Sequence, residues 1–537
     1  MLNLSVVLED SARGVPDRDA LVIGDTRLPY AAVNAIANQV ANLLRSRGIR
    51  RGDRVALCCP NLPWFPMIYF GILKAGAVAV PLNDLLEPWE FAYHLDDSDA
   101  RMFFCFQGRA DLPGERGFAD FQGRADVPVG ERGLAGFQQA ASCEHFIVLP
   151  DDILLPGDPA STCSPIADVE ELWTTIKDLP MTFETVATDP ADTAVILYGS
   201  GTSGRPAIGA ELTHMNLLLN AMMTDSMFTR APHDTYLVAL PLFHSFGQSV
   251  CMNMGFLRRA TLVLLPRFEP GKALALMERH TVTFLAAVPT MYWALLNVEG
   301  AECYDLKKIA ANLTVAVAGG AALPAVVSKG FTERFGIEIL EGYGLSETSP
   351  VAAFSRSDRL IKPGSIGSPI WGVELKLVDP NWNDVEGSGP GEIAIRGHNV
   401  MKGYHNRPDE TAQVMRDGWL RTGDIGRRDD DGYYYIIDRS RDLIIRDGVT
   451  VYPREIEELL MKHPQVNLAA VVGVPHELYG EEIKAYVVPA SGSLISANEL
   501  QKWCVSALPA DGYPRLVEFR DRLPMTATGK ILKRELA

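Results

Sequence analysis

Short apolar runs alternate with helical patterns along the chain as far as residue 320. Residues 30–48 repeat apolar positions at the spacing of an α-helix and end in Gly48. A second helical segment, "WFPMIYFGILKAG", is flanked by short apolar runs that recur downstream: "DRVALCCP", "AGAVAVPL", "TYLVALP", "ATLVLLP", "VTFLAAVP" and "LTVAVAGG". Such runs, which stop at proline or glycine, are typical of parallel strands that helices cover on both faces. The pattern predicts an α/β fold whose ligands bind at the carboxyl ends of the strands.

The pattern changes in the last third of the chain. From about residue 364 to 438, the runs "GVELKLVD", "GEIAIRG" and "GYYYIIDR" alternate like antiparallel strands separated by turns. A compact α+β pattern follows, and the charged stretch "DRSRD" before it is suited to an exposed hinge. We therefore expect a large N-terminal region, 1–438, that contains a β-rich subregion at about 364–438, and a small C-terminal domain, 439–537.

The composition of the chain argues against several classes of protein. A length of 537 residues exceeds one ordinary core. Acidic residues outnumber basic ones by 67 to 50, which argues against a general nucleic-acid partner, although a local loop can still bind a nucleotide. The eight cysteines include no CxxC pair, so we expect neither a zinc site nor a disulfide framework. Because no long uncharged apolar run is present, we expect no membrane-spanning helix and a cytoplasmic location.

A tandem repeat interrupts the pattern at residues 106–120 and 121–136. Two short glycine-rich copies are too few to build a solenoid. The simpler interpretation is a duplicated surface loop, since loops tolerate insertion well. A regulatory or partner-binding flap is the alternative.

A glycine- and hydroxyl-rich loop follows the predicted strand "TAVILY". Its residues Ser200, Gly201, Thr202, Ser203 and Gly204 could surround phosphate oxygens with backbone N–H groups and hydroxyls. A P-loop would continue with lysine and serine or threonine, but Arg205 and Pro206 follow here, so a P-loop NTPase is a poor fit. Taken alone, the loop is as readily a plain turn.

Five further blocks follow the loop in order: "PLFHSFG" (241–247), "EGYGLSETSP" (341–350), "GWLRTGDIG" (418–426), "YIIDRSRDLII" (435–445) and "PMTATGKILKREL" (524–536). Together the six blocks closely resemble the signature of the adenylate-forming superfamily, in particular the fatty acyl-CoA synthetases. The resemblance implies an acid–thiol ligase with a mobile C-terminal domain. In that family a carboxylate attacks the α-phosphate of ATP, giving acyl-AMP and pyrophosphate, and coenzyme A then displaces AMP. ATP, Mg²⁺, coenzyme A and a small carboxylic acid are therefore the expected ligands.

The resemblance also implies roles for individual residues. Glu347 matches the acid of the magnesium site, and Ser346 stands where the family usually has threonine near the α-phosphate. The remaining matches are, for the adenine site, Gly320, Ala321, Tyr343 and Gly344; for the ribose, Asp424 and Arg439; for the mouth of the acyl site, His244; for the catalytic ammonium, Lys530; and for the hinge, Arg441. Outside these motifs, residues of these types would more often belong to a turn, form a surface ion pair or, for the histidine, lie in the core.

Two positions depart from the family pattern. The loop usually reads Pro-Lys-Gly, but here Pro206 is followed by Ala207 and Ile208, so the lysine is absent and one residue is added. The family's Gly-Gly after the hinge strand is Asp447-Gly448 here. We expect the first change to slow adenylation and the second to weaken or reshape coenzyme A binding.

The "EGYGLSET" and "ELTHMNL" variants favour a medium- or long-chain fatty acid as substrate, with an aryl acid as the alternative. Two other hypotheses remain: an acyl-AMP ligase that loads a separate carrier protein, and a weakened relative that binds acyl-adenylate without efficient turnover. The sequence leaves open whether the protein forms homo-oligomers or associates loosely with a membrane.

Overall fold

The computed structural model describes residues 2–108, 127–150, 169–199, 207–356, 358–387, 389–490, 492–508, 512–526 and 529–536. Most of the tandem repeat falls outside these residues, but from residue 129 its second copy forms the start of the helix Val129–Gln139, so the prediction of a surface loop is wrong for that part. The alternative of a regulatory or partner-binding flap stays a prediction. The described part contains four β-sheets, and it confirms the predicted α/β class with an antiparallel segment and a C-terminal α+β unit.

The first sheet has eight strands. Six of them are parallel, and their buried faces explain the continuous apolar runs of the sequence. The other two strands, Gly209–Thr213 and Gly403–Tyr404, extend one edge of the sheet through antiparallel pairing. In spatial order the strands are Gly403–Tyr404, Gly209–Thr213, Thr193–Tyr198, Val78–Leu82, Arg54–Cys58, Ala100–Phe106, His145–Leu149 and Glu170–Glu171.

The second sheet has nine strands, of which the central six are parallel. Its antiparallel edge follows directly on the "EGYG" strand, which ends at Gly344. In spatial order the strands are Ser368–Pro369, Val351–Phe354, Ile339–Gly344, Val315–Ala318, Phe284–Ala287, Thr235–Val238, Thr261–Leu264, Asp19–Ile23 and Thr26–Pro29.

Helices cover both sheets and complete one continuous apolar core. Every residue of Trp64–Lys74 is buried, which explains why this helix is apolar on all faces. The other α-helices are Val6–Gly14, Tyr30–Ser46, Pro88–Asp97, Val129–Gln139, Leu172–Ile176, His214–Asp225, Met254–Leu257, Pro270–Arg279, Pro289–Leu296, Leu306–Asn312, Ala325–Phe335, Pro408–Val414, Pro453–Met461 and Ala497–Val505. A π-helix, Gly247–Asn253, and 3₁₀ turns at Ala301–Cys303, Ser346–Thr348 and Lys533–Glu535 complete the set. None of the described helices is long and apolar enough to cross a membrane.

The third sheet is antiparallel and corresponds to the alternating pattern of the sequence. Its apolar residues join the main core. Its strands are Val373–Val378, Gly391–Gly397, Trp419–Arg428, Met415–Arg416 and Tyr434–Arg439.

The fourth sheet lies in the C-terminal part and has two apolar clusters of its own. Its strands are Val449–Val451, Ile444–Arg446, Gly480–Pro489, Val466–His476 and Leu516–Phe519. The third sheet ends at Arg439 and the fourth begins at Ile444, so the apolar clusters change between these residues. The exact domain boundary and the mobility of the small domain stay predictions.

Candidate active site

Three of the predicted nucleotide contacts meet at the edges of the second and third sheets. Tyr343 lies near the end of its strand, and its hydroxyl donates to Asp424 Oδ2 at 2.7 Å. Asp424 pairs across the third sheet with Arg439, whose Nε lies 3.2 Å from Asp424 Oδ1. The Asp424 side chain is only 5% exposed, so its charge is held by these two partners rather than by water. Burial, and then the Asp424 carboxylate, raise the pKa of Tyr343, so the phenol stays a proton donor at working pH.

The predicted adenine site is open at one wall and tightly packed at another. Gly320 has a φ of +79°, and both Gly320 and Ala321 are exposed, which leaves space above the strand end. At Gly344, in contrast, there is no room for a side chain, since a Cβ there would stand 1.7 Å from the Pro350 carbonyl oxygen. Glycine is therefore needed at 320 for backbone conformation and at 344 for close approach of the following strand.

Glu347 lies on the 3₁₀ turn that follows this strand. Its Oε1 accepts a hydrogen bond from the Tyr404 hydroxyl at 3.0 Å, and its backbone carbonyl accepts from Met401 N at 2.8 Å. The neighbouring Ser346 hydroxyl lies 3.5 Å from the Ser245 hydroxyl. The described residues contain no cluster of three or more acidic, histidine or cysteine side chains that could enclose a metal. A single oriented carboxylate suits Mg²⁺, which keeps several waters and takes other ligands from substrate phosphates.

Lys530, near the C-terminus, lies close enough to His244, near the middle of the sequence, to influence its pKa. Burial, and next the Lys530 ammonium, lower the pKa of His244 to about 4, so this imidazole is neutral at pH 7. Burial also lowers the pKa of Lys530, to about 8. The next largest influences on Lys530 are Arg439, which lowers its pKa, and Asp424, which raises it. Lys530 therefore lies within electrostatic reach of both predicted ribose contacts and of His244.

The turn that carries Lys530 rests on the large region. Gly529 has a φ of +76°, and its carbonyl accepts a long hydrogen bond of 3.4 Å from the Thr290 hydroxyl. Within the turn, Lys530 N donates to Thr526 Oγ1 at 3.1 Å. These contacts connect the turn that carries Lys530 to the helix that contains Thr290.

The predicted phosphate loop lies outside the described residues from Ser200 to Pro206, and with it Gly201, Thr202, Ser203 and Gly204. Both flanks are described. Tyr198 pairs with Gly209 in antiparallel register, so the loop connects the two arms of a β-hairpin. The arm 209–213 in turn pairs with the strand Gly403–Tyr404, which carries the tyrosine that contacts Glu347.

The two remaining predicted positions lie on the surface near the domain junction. Arg441 is exposed, and its Nε stands 3.6 Å from Asp442 Oδ1. Asp447 and Gly448 form the exposed turn between two strands of the fourth sheet, with φ values of +50° and +77°. Both the hinge role of Arg441 and the effect of Asp447 on coenzyme A stay predictions.

Tyr404 and Thr290 belong to the site but were not singled out from the sequence. The segment "MKGYHNRP" around Tyr404 has no periodicity or residue cluster that marks a ligand site. Its importance arises from pairing with a strand nearly two hundred residues earlier.

Two largely parallel sheets, the predicted nucleotide contacts at their strand ends and a C-terminal lysine near those contacts fit the class that the sequence motifs predict, enzymes that activate carboxylates with a nucleotide. The sequence profile of the AMP-binding enzyme family matches residues 8–405, and that of the AMP-binding enzyme C-terminal domain matches residues 455–530. The chain belongs to this family.

Relatives and solved structures agree with the assignment. The chain is 33% identical to a long-chain-fatty-acid–CoA ligase of Bacillus subtilis, over 99% of this chain and 94% of that protein. It is 36% identical to a feruloyl-CoA synthase of Amycolatopsis sp, over 98% and 96%. The crystal structure of ATP-bound MatB from Rhodopseudomonas palustris superimposes with a TM-score of 0.84 at 30% identity, over 100% and 98% of the two chains. The protein is therefore an AMP-forming acid–CoA ligase that uses ATP with Mg²⁺ and coenzyme A.

Proposed function

We propose that the protein activates a medium- or long-chain fatty acid through acyl-AMP and passes the acyl group to coenzyme A. The observation that carries the mechanism is the Asp424–Arg439 ion pair, both of whose charges influence the pKa of Lys530. Similarity to a long-chain-fatty-acid–CoA ligase along nearly the whole chain supports the substrate class.

In the first half-reaction, a carboxylate oxygen attacks the α-phosphorus while the bond to the bridging oxygen of pyrophosphate breaks. We assign the Lys530 ammonium to the space between the carboxylate and the α-phosphate, where it offsets the charge of two approaching anions. With a pKa of about 8 it is mostly charged at pH 7 but weakly hydrated, which strengthens its field at the reacting atoms. Asp424 and Arg439 are assigned to the ribose, and Tyr343 to the adenine ring.

Magnesium bound through Glu347 would neutralise the phosphate oxygens and orient the leaving pyrophosphate. Tyr404 holds the Glu347 carboxylate from one side through its hydroxyl. Since burial and the Glu347 carboxylate both raise the pKa of Tyr404, the phenol remains a donor and cannot add a competing negative charge. The neutral His244 is assigned to the wall beside the substrate carboxylate, where an imidazolium would hold the carboxylate too firmly.

In the second half-reaction, the coenzyme A sulfur attacks the acyl carbonyl carbon, the bond to AMP breaks, and the thiol proton is released. Asp424 and Arg439, the proposed ribose contacts, both influence the pKa of Lys530, which supports our assignment of the present orientation to adenylation. The hinge at Arg441 would carry the small domain away before the thiol approaches.

An aryl acid is the second candidate substrate. The 36% identity to a feruloyl-CoA synthase supports it, and that similarity also covers nearly the whole chain. The two candidate acids react in the same way at the carboxylate and differ only in the group attached to it, an alkyl chain or an aromatic ring.

A panel of acids separates the candidates. The enzyme is incubated with ATP, Mg²⁺, coenzyme A and one of octanoate, palmitate, ferulate or benzoate, and the thioester is quantified by mass spectrometry. We expect the highest kcat/KM with a fatty acid; a preference for ferulate would establish the aryl alternative. Acyl-AMP that accumulates despite saturating coenzyme A would point to a separate carrier as acceptor, and no product from any acid would favour a weakened relative. Because a fatty-acid substrate partitions into lipid, we also expect partial co-sedimentation with phospholipid vesicles.

A further inference from the structure

Four buried polar side chains cluster at the segment 345–351, which carries Glu347. They are Asn220, Ser249, Ser349 and Asn399, and each is at most 1% exposed. We call these four side chains the polar support. Burying polar groups costs free energy unless they are hydrogen-bonded, so their partners show which part of the molecule the cluster holds in place.

Two hydrogen bonds of the polar support hold Ser349, which ends the 3₁₀ turn Ser346–Thr348. The Ser249 hydroxyl, from the π-helix, donates to the Ser349 carbonyl at 2.8 Å. The Ser349 hydroxyl donates to the Asn399 carbonyl, also at 2.8 Å. Ser349 has a φ of +72°, a left-handed conformation that persists in a residue other than glycine when its surroundings determine it. The contacts on both sides of Ser349 therefore fix the backbone two residues after Glu347.

Two amide side chains hold Val351, where the chain enters the next strand. Asn220 Nδ2 donates to the Val351 carbonyl at 2.8 Å, and Asn220 Oδ1 accepts from Val351 N at 3.3 Å. Asn399 Nδ2 donates to the same carbonyl at 3.0 Å. Val351 pairs with Gly344 across the antiparallel edge of the second sheet. The two ends of the turn that carries Glu347 are therefore fixed relative to each other.

The chain around Asn399 also contacts Glu347 itself. Met401 N donates to the Glu347 carbonyl at 2.8 Å, and the Tyr404 hydroxyl donates to Glu347 Oε1 at 3.0 Å. The Glu347 side chain is partly exposed, so the placement of its backbone decides where the carboxylate can lie. Asn399 thus belongs to a short segment that holds the turn at its acidic residue and at its end.

We propose that Asn399 is a positioning residue for Glu347: together with Ser249 it fixes the turn that directs the carboxylate toward Mg²⁺. This inference rests on the proposed role of Glu347 as the acid of the magnesium site. Mg²⁺ demands near-ideal octahedral geometry with oxygen ligands at about 2.0–2.1 Å, so a displaced carboxylate binds it less well. Asn399 and Ser249 act through the backbone of the turn and not by contact with the metal or the nucleotide.

The first test is independent of catalysis. Amide hydrogen exchange is measured by mass spectrometry in peptides that cover residues 345–351, on the enzyme without nucleotide. Asn399→Leu removes the amide that donates to Val351, and Ser249→Ala removes the hydroxyl that donates to Ser349. We expect both variants to exchange about 5- to 50-fold faster than the wild type in this segment, because a buried backbone acceptor loses a donor.

The second test measures the two half-reactions. Adenylation is followed by ATP–pyrophosphate exchange over a range of Mg²⁺ concentrations at saturating ATP, and thioester formation is followed from synthetic acyl-AMP and coenzyme A. The Mg²⁺ concentration for half-maximal exchange should rise about tenfold in Asn399→Leu and about threefold in Ser249→Ala. Thioester formation should change less than about threefold in both, because pyrophosphate has already left.

A double substitution tests whether Asn399 acts through Glu347. In a Glu347→Gln background, Asn399→Leu should reduce pyrophosphate exchange by less than about a further threefold, since the charged ligand that it positions is already gone. A residue with a purely structural role would cause its full loss again in that background.

Two buried polar residues elsewhere provide matched controls. Asn42 is 5% exposed, and its amide donates to the Pro180 and Thr182 carbonyls at 2.8 and 3.0 Å. Ser11 is 1% exposed, and its hydroxyl donates to the Phe256 carbonyl at 2.6 Å. These hydrogen bonds do not involve the segment 345–351, so Asn42→Leu and Ser11→Ala should leave both its hydrogen exchange and the Mg²⁺ dependence unchanged.

The outcomes separate positioning from general stability. Unchanged Mg²⁺ dependence in Asn399→Leu and Ser249→Ala, equal losses in the two half-reactions, or full additivity with Glu347→Gln would each overturn the proposal. If Asn399→Leu does not fold, as judged by its thermal transition, Ser249→Ala decides the question through hydrogen exchange and Mg²⁺ dependence. Near-normal pyrophosphate exchange by Glu347→Gln would instead overturn the proposed role of Glu347, and with it this inference.

Discussion

The charges around Lys530 predict that two substitutions shift the pH dependence of adenylation in opposite directions. Lys530 acts as an ammonium, so kcat/KM for adenylation should fall as pH rises through its pKa of about 8. Asp424 raises that pKa and Arg439 lowers it. Asp424→Asn should therefore move the alkaline limb of the pH profile to lower pH, and Arg439→Gln should move it to higher pH.

The size of the two shifts follows from the partial exposure of Lys530 and Arg439. A single charge acting on Lys530 at this site should contribute roughly 1 kcal/mol, which corresponds to about 0.7 pH unit. We expect shifts of about 0.5 to 1 unit, and at least as large for Arg439→Gln, because Arg439 has the larger influence on Lys530. Asp424→Asn should also lower the whole profile about 10- to 100-fold through the lost ribose contact. That loss changes the height of the curve and not the position of its limb.

The assay is ATP–pyrophosphate exchange at subsaturating MgATP from pH 6 to 10, since kcat/KM reports groups of the free enzyme. Tyr343→Phe is the control: it removes the hydroxyl 2.7 Å from Asp424 without changing any charge, so its limb should stay in place. Limbs that coincide in all four proteins, or that shift in the same direction for Asp424→Asn and Arg439→Gln, would refute the assignment of the alkaline limb to Lys530.

Three further predictions concern the catalytic groups. Glu347→Gln should reduce magnesium-dependent pyrophosphate exchange about 100-fold or more, because the amide keeps the shape but not the charge; near-normal exchange at saturating Mg²⁺ would show that another acid holds the cation. Lys530→Ala should abolish adenylation but leave the attack of coenzyme A on supplied acyl-AMP largely intact; an equal loss in rapid-quench measurements of both steps would contradict the assignment to one orientation. Replacing Ala207 and Ile208 by a single lysine should restore the family's charge and spacing and raise the rate of adenylation or the affinity for ATP about 10- to 100-fold, as measured by single-turnover kinetics. An unchanged adenylation rate would mean that the loop does not clamp phosphate.

Local pattern was sufficient to predict most of the elements. The helix expected at residues 30–48 spans Tyr30–Ser46, and the run "LTVAVAGG" contains the strand Val315–Ala318. The order of the strands within each sheet could not be predicted from the sequence, because it depends on contacts between segments that are distant along the chain. The strand Asp19–Ile23, for example, pairs with Thr261–Leu264, and no local feature of either strand specifies that partner.

In the candidate site, too, the contacts between residues distant in sequence could not be predicted. Motif resemblance marked Tyr343, Asp424 and Glu347 separately, but the Tyr343–Asp424 hydrogen bond joins residues 81 positions apart. Tyr404 carries no motif, and it contacts Glu347 only because its short strand pairs in antiparallel fashion with 209–213. Side-chain partners across sheet edges depend on tertiary placement, to which periodicity is insensitive.

The contact between the Gly529 turn and Thr290 bears on the proposed change of orientation of the small domain. The Gly529 carbonyl accepts a long hydrogen bond of 3.4 Å from the Thr290 hydroxyl, and a Cβ at position 529 would stand 2.8 Å from the Thr290 hydroxyl oxygen. A hydrogen bond this long contributes little of the free energy that favours the docked orientation. A bound ligand that prefers one orientation by about 100-fold shifts the equilibrium between the docked and released populations by about 2.7 kcal/mol. Bound substrates, rather than the protein alone, would thus determine which orientation is populated at each stage of turnover.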